Sequence, residues 1–359
     1  MSFYHSTEAP VHFSFSKSKM ASDASITWWH AAPPIAALFY PFFLKGFSLL
    51  VDTEVSLATL MLAMAMSVPI LAFFVAWNLG KAAHPIVSTV RLKSIAWLAI
   101  ATPPMFTADG VLTYMGGQAV SEITLWVMFW AMASVIALIT ARNSRTSVVI
   151  TFPNAKNFSS PRLRVAHGIS AVVILVLFLT MHLTNHLAGA VSEAEHRHLM
   201  DIFRVIYRSR AIEPFVVLLF LFQVLSGLVL LRTNSHRPAD FYKTLQLASG
   251  GYLAFFILAH MNSVFIYARR FAGIKTDWDF ATGAPTGLLH DPWNIRLVPH
   301  YYLGVFLIIT HLVLAARVVC IAHGMPPKRA NFSSKLGIII GAVIAAIIML
   351  GMTGLQIGN

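Results

Sequence analysis

Long apolar runs recur along this sequence, and short segments rich in lysine and arginine separate them. A helix that crosses a bilayer needs about 20 predominantly apolar residues, and these runs reach that length. We expect about nine such helices, near residues 28–50, 56–79, 93–115, 122–141, 165–189, 212–231, 245–268, 298–320 and 336–356. The predicted fold is therefore an all-α, polytopic bundle of transmembrane helices in an integral membrane protein.

Composition supports a membrane protein and excludes some function classes. Hydrophobic residues make up 57% of the 359 residues and charged residues 11%, whereas soluble domains carry about 25% charged residues. Lys and Arg exceed Asp and Glu by 26 to 14, but the basic residues lie between apolar runs, where membrane topology accounts for them. We expect membrane lipid as a partner and no nucleic acid. A single cysteine excludes an internal disulfide and a thiolate metal site.

Charge also predicts the orientation and the divisions of the chain. With the N-terminus inside, the inside segments carry roughly twice as many Lys and Arg residues as the outside segments, as the positive-inside rule requires. The predicted parts are a polar tail (1–27), a four-helix membrane part (28–141), an inside linker (142–164), a four-helix core (165–322) and a C-terminal transmembrane helix (323–359). No Arg-rich amphipathic presequence is evident, which favours a bacterial inner membrane over a mitochondrial one.

Three local patterns predict details of this bundle. Pro103 and Pro104 should kink the third helix, because proline cannot continue an α-helical hydrogen-bond ladder. The outside segment 191–213 has apolar residues at helical spacing, which predicts a short helix along the membrane interface. The outside segment 273–299 is rich in Gly, Pro, Asp and Trp, which indicates an ordered cap.

Histidines inside the apolar runs are the strongest functional signal. At 1.5 Å per residue, His182 lies roughly 8 Å and His260 about 6 Å outward of their helix centres, on helices that run in the same direction. Haem iron takes axial ligands from opposite sides, so these two metal ligands predict one b-type haem. His186, one turn from His182, is an alternative ligand or a donor to a propionate or quinone oxygen.

Other interpretations of these histidines stay open. His182 and His186 have the i, i+4 spacing of a zinc site, although no glutamate follows the first histidine. All of them could equally be packing residues that bond to Ser, Thr or backbone groups across the bundle. His167 and His300 lie near helix ends, where a water-exposed interfacial position explains them.

The stretch "HGISAVVILVLFLTMHLTNHL" resembles the first core helix of the succinate dehydrogenase/fumarate reductase membrane cytochrome b superfamily. That helix opens with a pattern like His-Arg-x-Ser/Thr-Gly, and His167 and Ser170 match it. Gly168 stands where arginine is usual and Ala171 where glycine is usual. The stretch "EPFVVLLFLFQVLSGLVLLR" resembles the second core helix, with Gln223 at a frequent histidine position.

The resemblance covers residues 162–322 and is closest to the transmembrane domain of mitochondrial adapter proteins grouped with this superfamily. In dihaem members, the first and third core helices hold one haem and the second and fourth hold the other. This implies His182 with His260 for one haem, and Gln223 with His311 for a second site that lacks one ligand. A single haem is therefore expected. Alternatively, Gln223 and His311 form a hydrogen-bonded quinone pocket or polar pocket.

The combined prediction is a b-type cytochrome that exchanges electrons with the quinone pool. Arg164, Arg269 and Arg270 are candidates for the haem propionates, because a guanidinium pairs with a carboxylate bidentately. The chain has no soluble domain that could oxidise a substrate, so it would be at most the membrane anchor of an oxidoreductase with a redox partner subunit. The alternatives are a haem-free adapter or scaffold, and a transporter that relays protons through Asp109 and Glu213.

Overall fold

A computed structural model of the protein describes residues 26–82, 85–144, 161–235 and 237–358. Over these ranges the chain is helical and contains no β-strand. The all-α prediction is confirmed. The predicted polar tail up to residue 25 and the part of the predicted linker over residues 145–160 lie outside the described residues.

Eight of the described helices are long and apolar enough to cross a membrane, and one bent pair brings the number to nine. The long helices are α1 (Trp28–Leu50), α2 (Val55–Gly80), α5 (Glu122–Arg142), α6 (Pro161–Ala188), α8 (Ile212–Ser235), α9 (Phe241–Ala272), α12 (Asn294–Ala322) and α13 (Pro327–Met352), and the bent pair is α3 (Val87–Ile100) with α4 (Thr102–Met115). The number of spans agrees with the prediction. An inside N-terminus stays a prediction.

The bend between α3 and α4 measures 63° and lies where the two prolines begin the second helix. Pro103 and Pro104 have no backbone N–H to donate to the preceding turn, which breaks the hydrogen-bond ladder. The Thr102 hydroxyl donates to the Ala99 carbonyl at 2.6 Å, which satisfies one acceptor at the break. The predicted kink is confirmed.

The N-terminal part of the chain packs through small and aromatic side chains. Buried alanines on α1 and α2, such as Ala37 and Ala72, let the helix backbones approach closely. Trp126 on α5 donates its indole N–H to the Ala37 carbonyl at 2.8 Å, and the Trp130 side chain is fully buried beside it. These contacts join α1, α2, α3 and α5 into one packed unit, the N-terminal unit, which also includes α4 through its packing on α1 and α5.

The second part of the chain is a ring of five helices. In order around the ring, α6 packs on α8, α8 on α9, α9 on α12, α12 on α13, and α13 returns to α6. The four helices predicted as a core are present, and the C-terminal helix, predicted as a separate part, completes the wall between α12 and α6. Through α9, the ring also packs on α2, α3 and α4 of the N-terminal unit.

Short helices cover one end of this ring, which we call the cap end. They are α7 (Glu193–Tyr207), α10 (Trp278–Thr282) and α11 (Gly287–His290). The predicted helix within 191–213 is therefore present as α7, and the segment 273–299 is ordered. After α13, the Ile357 and Gly358 N–H groups donate to the Ala190 and Val191 carbonyls at 2.9 and 2.8 Å, which fastens the end of the chain to the cap end.

Candidate cofactor site

His182 on α6 and His260 on α9 face each other inside the five-helix ring. Their ring centres are 6.1 Å apart, and the ring planes are inclined by 66°. Neither ring makes a hydrogen bond to another residue in the described part of the chain, although both line a cavity. The two histidines that the sequence pairs by depth are thus also paired across the bundle.

Both histidine-bearing helices depart from α-helical geometry next to the histidine. A π-helical turn covers Leu175–Leu179 of α6, and a longer π-helical stretch covers Asn262–Ala272 of α9. In the first, the Thr180 hydroxyl donates to the Leu175 carbonyl at 2.8 Å. Wide turns of this kind are rare in helices and are frequent at functional sites. The sequence carries no signal that predicted them.

Phenylalanine rings hold the two imidazoles in place. Phe178, one turn before His182, stacks on its ring at 4.9 Å with planes 20° apart. Phe256, one turn before His260, stacks on that ring at 5.6 Å with planes 10° apart. These i, i+4 pairs restrict imidazole rotation and surround each ring with apolar surface.

His186 lies on the far side of His182 from His260. Its ring centre is 4.8 Å from that of His182 and 5.4 Å from that of His196 on α7. The Asn185 amide donates to His196 Nε2 at 3.0 Å. His186 Nδ1 is buried and has no hydrogen-bond partner. The geometry therefore places His182, rather than its predicted alternative His186, opposite His260.

A cavity of about 260 Å³, the central cavity, surrounds the facing histidines. All five helices of the ring and two short helices of the cap end, α7 and α10, contribute to its wall. The wall is mainly aliphatic and aromatic, and its apolar members include Ile174, Phe178, Phe220, Leu253, Val305 and Ile348. Its volume is near the lower end of the ~300–1,000 Å³ typical of small-molecule sites.

Three arginines lie around the central cavity at the cap end. Arg269 pairs with Glu213 at 2.8 Å, and Arg204 and Arg208 both donate to Thr276, through its carbonyl and its hydroxyl. Burial, followed by the adjacent Arg204 and Arg269 cations, lowers the pKa of Arg208. Arg204 Nε is buried without a partner. Three arginines and two carboxylates, those of Glu213 and Asp277, line the cavity here, so the rim keeps a net positive charge, which favours an anionic group.

The other predicted site residues lie toward the opposite end of the ring. The Gln223 amide donates to the His167 carbonyl at 2.8 Å and to the Ser170 hydroxyl at 2.6 Å. His311 instead bonds to the Ser249 hydroxyl at 3.0 Å, through Nδ1. Gln223 and His311 are therefore each satisfied by a different neighbour, and the structure does not join them in a hydrogen-bonded pair.

Two of the three arginines that the sequence proposed for propionates lie away from the central cavity. Arg269 lines it, whereas Arg164 is exposed at the opposite end of α6, close enough to Lys243 to interact electrostatically. Arg270 is exposed and is not part of the wall. Sequence reasoning missed Arg204 and Arg208. The apolar spacing in the sequence predicted the helix α7, but it did not predict which face of α7 lies toward α9.

Two further predictions concern histidines near helix ends. His167 bonds through Nδ1 to the Ser226 hydroxyl at 2.8 Å, so it ties α6 to α8. His300 is only 1% exposed and packs against Phe256, which contradicts a water-exposed interfacial position. The cap segment covers this end of α12, so depth along the helix alone did not predict its burial.

Within the described ranges, no group of three or more His, Cys, Asp or Glu side chains converges as a bare metal site would require. Comparisons with protein-family models, with curated proteins and with solved structures find no match to this chain. The resemblance to the cytochrome b superfamily therefore stays a prediction, and the residues themselves must support any function.

Proposed function

We propose that this chain is an integral membrane b-type haem protein that exchanges electrons with quinone in the bilayer. His182 and His260 would hold the haem, and the facing position of these two rings is the observation that carries the proposal. A bound haem supplies one-electron redox chemistry at its iron. The protein's own residues would hold it, keep water from it and compensate its charge.

The separation of the two rings fits this role. Metal–nitrogen bonds to histidine are about 2 Å long, so two imidazoles on opposite sides of one metal have centres roughly 6 Å apart. The observed separation of 6.1 Å agrees. Haem held in this way needs only two histidines, one from each of two helices, which is consistent with the lack of a three-ligand cluster among the described residues.

The donor set fits as well. His167, His196 and His311 have hydrogen-bond partners that explain them as structural residues. His182 and His260 have no such partner in the described part of the chain, and both line the mainly apolar central cavity, as does His186 with its unpaired Nδ1. Buried imidazoles that are left unpaired carry a desolvation cost, and a metal–nitrogen bond would offset it.

The charge around the central cavity matches an amphipathic ligand with acidic groups. Haem b has an apolar macrocycle and two propionates, and the cavity has apolar walls with Arg204, Arg208 and Arg269 on one side. Arginine forms bidentate bonds with carboxylates. We assign the propionates to this rim, so that Arg204 and Arg208 take the role that the sequence gave to Arg164 and Arg270.

A single haem is the better fit. The second site implied by the family needs a ligand at position 223, where the Gln223 amide is already bonded to α6. A quinone, a redox partner subunit and a bacterial inner membrane stay predictions of this proposal. They would make the chain the electron-transfer anchor of a larger oxidoreductase.

Absorbance spectra of the purified protein test the proposal. Protein from haem-replete cells should show a sharp reduced b-type band after dithionite, and His182→Ala or His260→Ala should abolish it. His311→Gln is the matched control, because His311 is also a half-buried histidine of the ring but bonds to Ser249. It should keep the band. A colourless, well-folded wild-type preparation would instead support the haem-free scaffold.

The rim arginines allow a separate test of the orientation. Arg208→Gln removes one cation from the crowded side of the cavity and should weaken haem retention about tenfold, which corresponds to one charge-assisted hydrogen bond. Transfer of haem to apomyoglobin measures the loss rate. Arg164→Gln is the control and should not change it. Equal effects of the two variants would contradict the assignment of the propionates.

A further inference from the structure

A second cavity, the cap cavity, lies between the N-terminal unit and the five-helix ring. It has a volume of about 680 Å³, within the ~300–1,000 Å³ typical of small-molecule sites. Thr107, Val111 and Tyr114 of α4 form one wall, and Tyr267 of α9 lies on another. The N-terminal helices therefore contribute directly to a concave site, a role that their sequence did not predict.

The floor of the cap cavity carries unpaired polar groups. His300 is 1% exposed, and its Nδ1 has no hydrogen-bond partner. Its neighbour Tyr301 and the nearby His260 also line the cavity, and neither makes a side-chain hydrogen bond within the described ranges. Buried polar groups are almost always hydrogen-bonded. A molecule with oxygen donors or acceptors would satisfy this floor.

The side walls are aromatic. The rings of Tyr114 and Tyr267 meet edge to face with centres 5.8 Å apart, and Trp293 lies on the cap side. Aromatic side chains of this kind favour offset or edge contacts with another aromatic ring. An aromatic ligand therefore fits the walls better than an aliphatic one.

The charged groups of the cap cavity are already paired. Asp277 lies 3.4 Å from Lys275 and 3.6 Å from Arg197, and Asp279 accepts from Arg197 at 2.9 Å. Asp291 accepts from the backbone N–H groups of residues 293 and 294. Little net charge remains for an ionic ligand. The Asn294 amide also donates to two cap carbonyls, which leaves too few free groups to recognise a polyhydroxylated sugar.

The mouth of the cap cavity is polar. Gln118 and Lys275 come from segments that connect helices, and the exposed Asp279 comes from the short helix α10. A lipid tail would lie unfavourably among these groups. Access is therefore from the aqueous side.

From these features we propose that the cap cavity binds a small, neutral, water-soluble aromatic molecule that carries hydroxyl or carbonyl oxygens. The ring contacts Tyr114, Tyr267 and Trp293, and the oxygens bond to Tyr301 and His300 on the floor. This site does not depend on a haem in the central cavity, although His260 and Tyr301 line both cavities.

Binding of resorcinol to the full-length protein in detergent tests this site, with cyclohexane-1,3-diol as the non-aromatic counterpart. Titration calorimetry should give saturable binding of resorcinol and at least tenfold weaker binding of the cyclohexanediol. Tyr301→Phe removes one hydroxyl from the floor and should weaken resorcinol binding about five- to tenfold. The adjacent Tyr302→Phe should not, because Tyr302 does not line the cap cavity.

A second variant tests the cap cavity without changing the polar groups of its floor. Ile274 is 40% exposed and lines the cap cavity, so Ile274→Trp should block the mouth without disturbing the fold and should abolish binding. His182→Ala, which does not change a residue of the cap-cavity wall, should keep resorcinol binding even if it loses haem. The proposal is overturned if the wild type does not bind resorcinol saturably, if the cyclohexanediol binds equally well, or if Ile274→Trp binds normally.

Discussion

Gly110 on α4 leaves room for an ion pair between the two parts of the chain. Arg296 of α12 reaches across to Glu122 of α5 with two hydrogen bonds of 2.6 and 2.7 Å, and its side chain is 4% exposed. The guanidinium lies 4.5 Å from the ring centres of Phe106 and Trp293. A Cβ atom on Gly110 would overlap both the guanidinium and the carboxylate. Only glycine fits at this position.

Gly110→Ala should therefore destabilise the protein by about 3 kcal/mol, because it displaces one partner of a buried ion pair. Thermal unfolding followed by circular dichroism measures the change. Gly168→Ala on α6 is the matched control, since nothing lies within 4 Å of the added methyl group. It should leave the unfolding temperature the same or slightly higher. Equal unfolding temperatures for the two variants would contradict a packed ion pair.

His196 on α7 makes the stability of the cap end depend on pH. Burial, followed by the Arg197 and Arg204 cations, lowers the pKa of His196 to about 4, while Asp277 opposes the shift. The neutral ring accepts from Asn185 at 3.0 Å. The adjacent His186 ring on α6 also faces it.

Because the folded-state pKa of His196 lies below its unfolded value of 6.5, the unfolded chain binds the proton more readily. The neutral His196 ring therefore contributes its full share of folding stability above pH 6.5, and this share is lost as the pH falls toward 4. At pH 5 the free energy of unfolding is lower by about 2 kcal/mol. Thermal unfolding at pH 7 and pH 5 should show this loss in wild type and in the exposed control His198→Gln. The loss should shrink in His196→Gln. A pH dependence that is identical in His196→Gln would rule out this origin.

At the scale of elements, the contact between α9 and α12 controls how His260 is held. Gly304 of α12 faces the Phe256 ring, where a Cβ atom would overlap the ring carbons. The same Phe256 ring stacks on His260 and contacts His300. The helix–helix distance and the orientation of the proposed haem ligand are thus set by one close approach.

Gly304→Val should push Phe256 off His260 and cost about 1–3 kcal/mol, the usual range for overpacking a core. If His260 binds haem, the variant should also lose haem during purification, as the ratio of haem to protein absorbance measures. Gly250→Ala, where the added methyl group lies 3.1 Å from His311, disturbs a comparable contact away from the central cavity. It should destabilise less and keep the haem ratio.

Across the whole molecule, the sequence predicted what depends on local pattern. Apolar run lengths gave the spans, Pro103 and Pro104 gave the bend, and the spacing within 191–213 gave α7. Depth along a helix follows from its fixed rise, which is why His182 and His260 could be matched. How each helix is rotated about its own axis, and which helices it packs against, depend on tertiary packing. Hence the bonding of Gln223 to α6, the burial of His300 and the π-helical turns were not predictable.

The same limit explains the missed cavities. The central cavity needs α13, which the sequence left outside the core, and the cap cavity needs α4 from the other unit. Both are made by segments far apart in the chain. Neither a local motif nor hydropathy predicts which distant segments form a cavity together, because a residue in the cavity wall is as apolar as one that faces lipid.

The place of α13 in the ring has a consequence for the order of assembly. Helices leave the ribosome in chain order, so α6, α8, α9 and α12 enter the membrane before the helix that fills the gap between the first and the last of them. Ile348 and Met352 of α13 complete the wall of the central cavity, and the residues after them fasten to Ala190 and Val191. Until α13 is inserted, the central cavity is open on one side. A large, rigid ligand would therefore enter most easily during biogenesis.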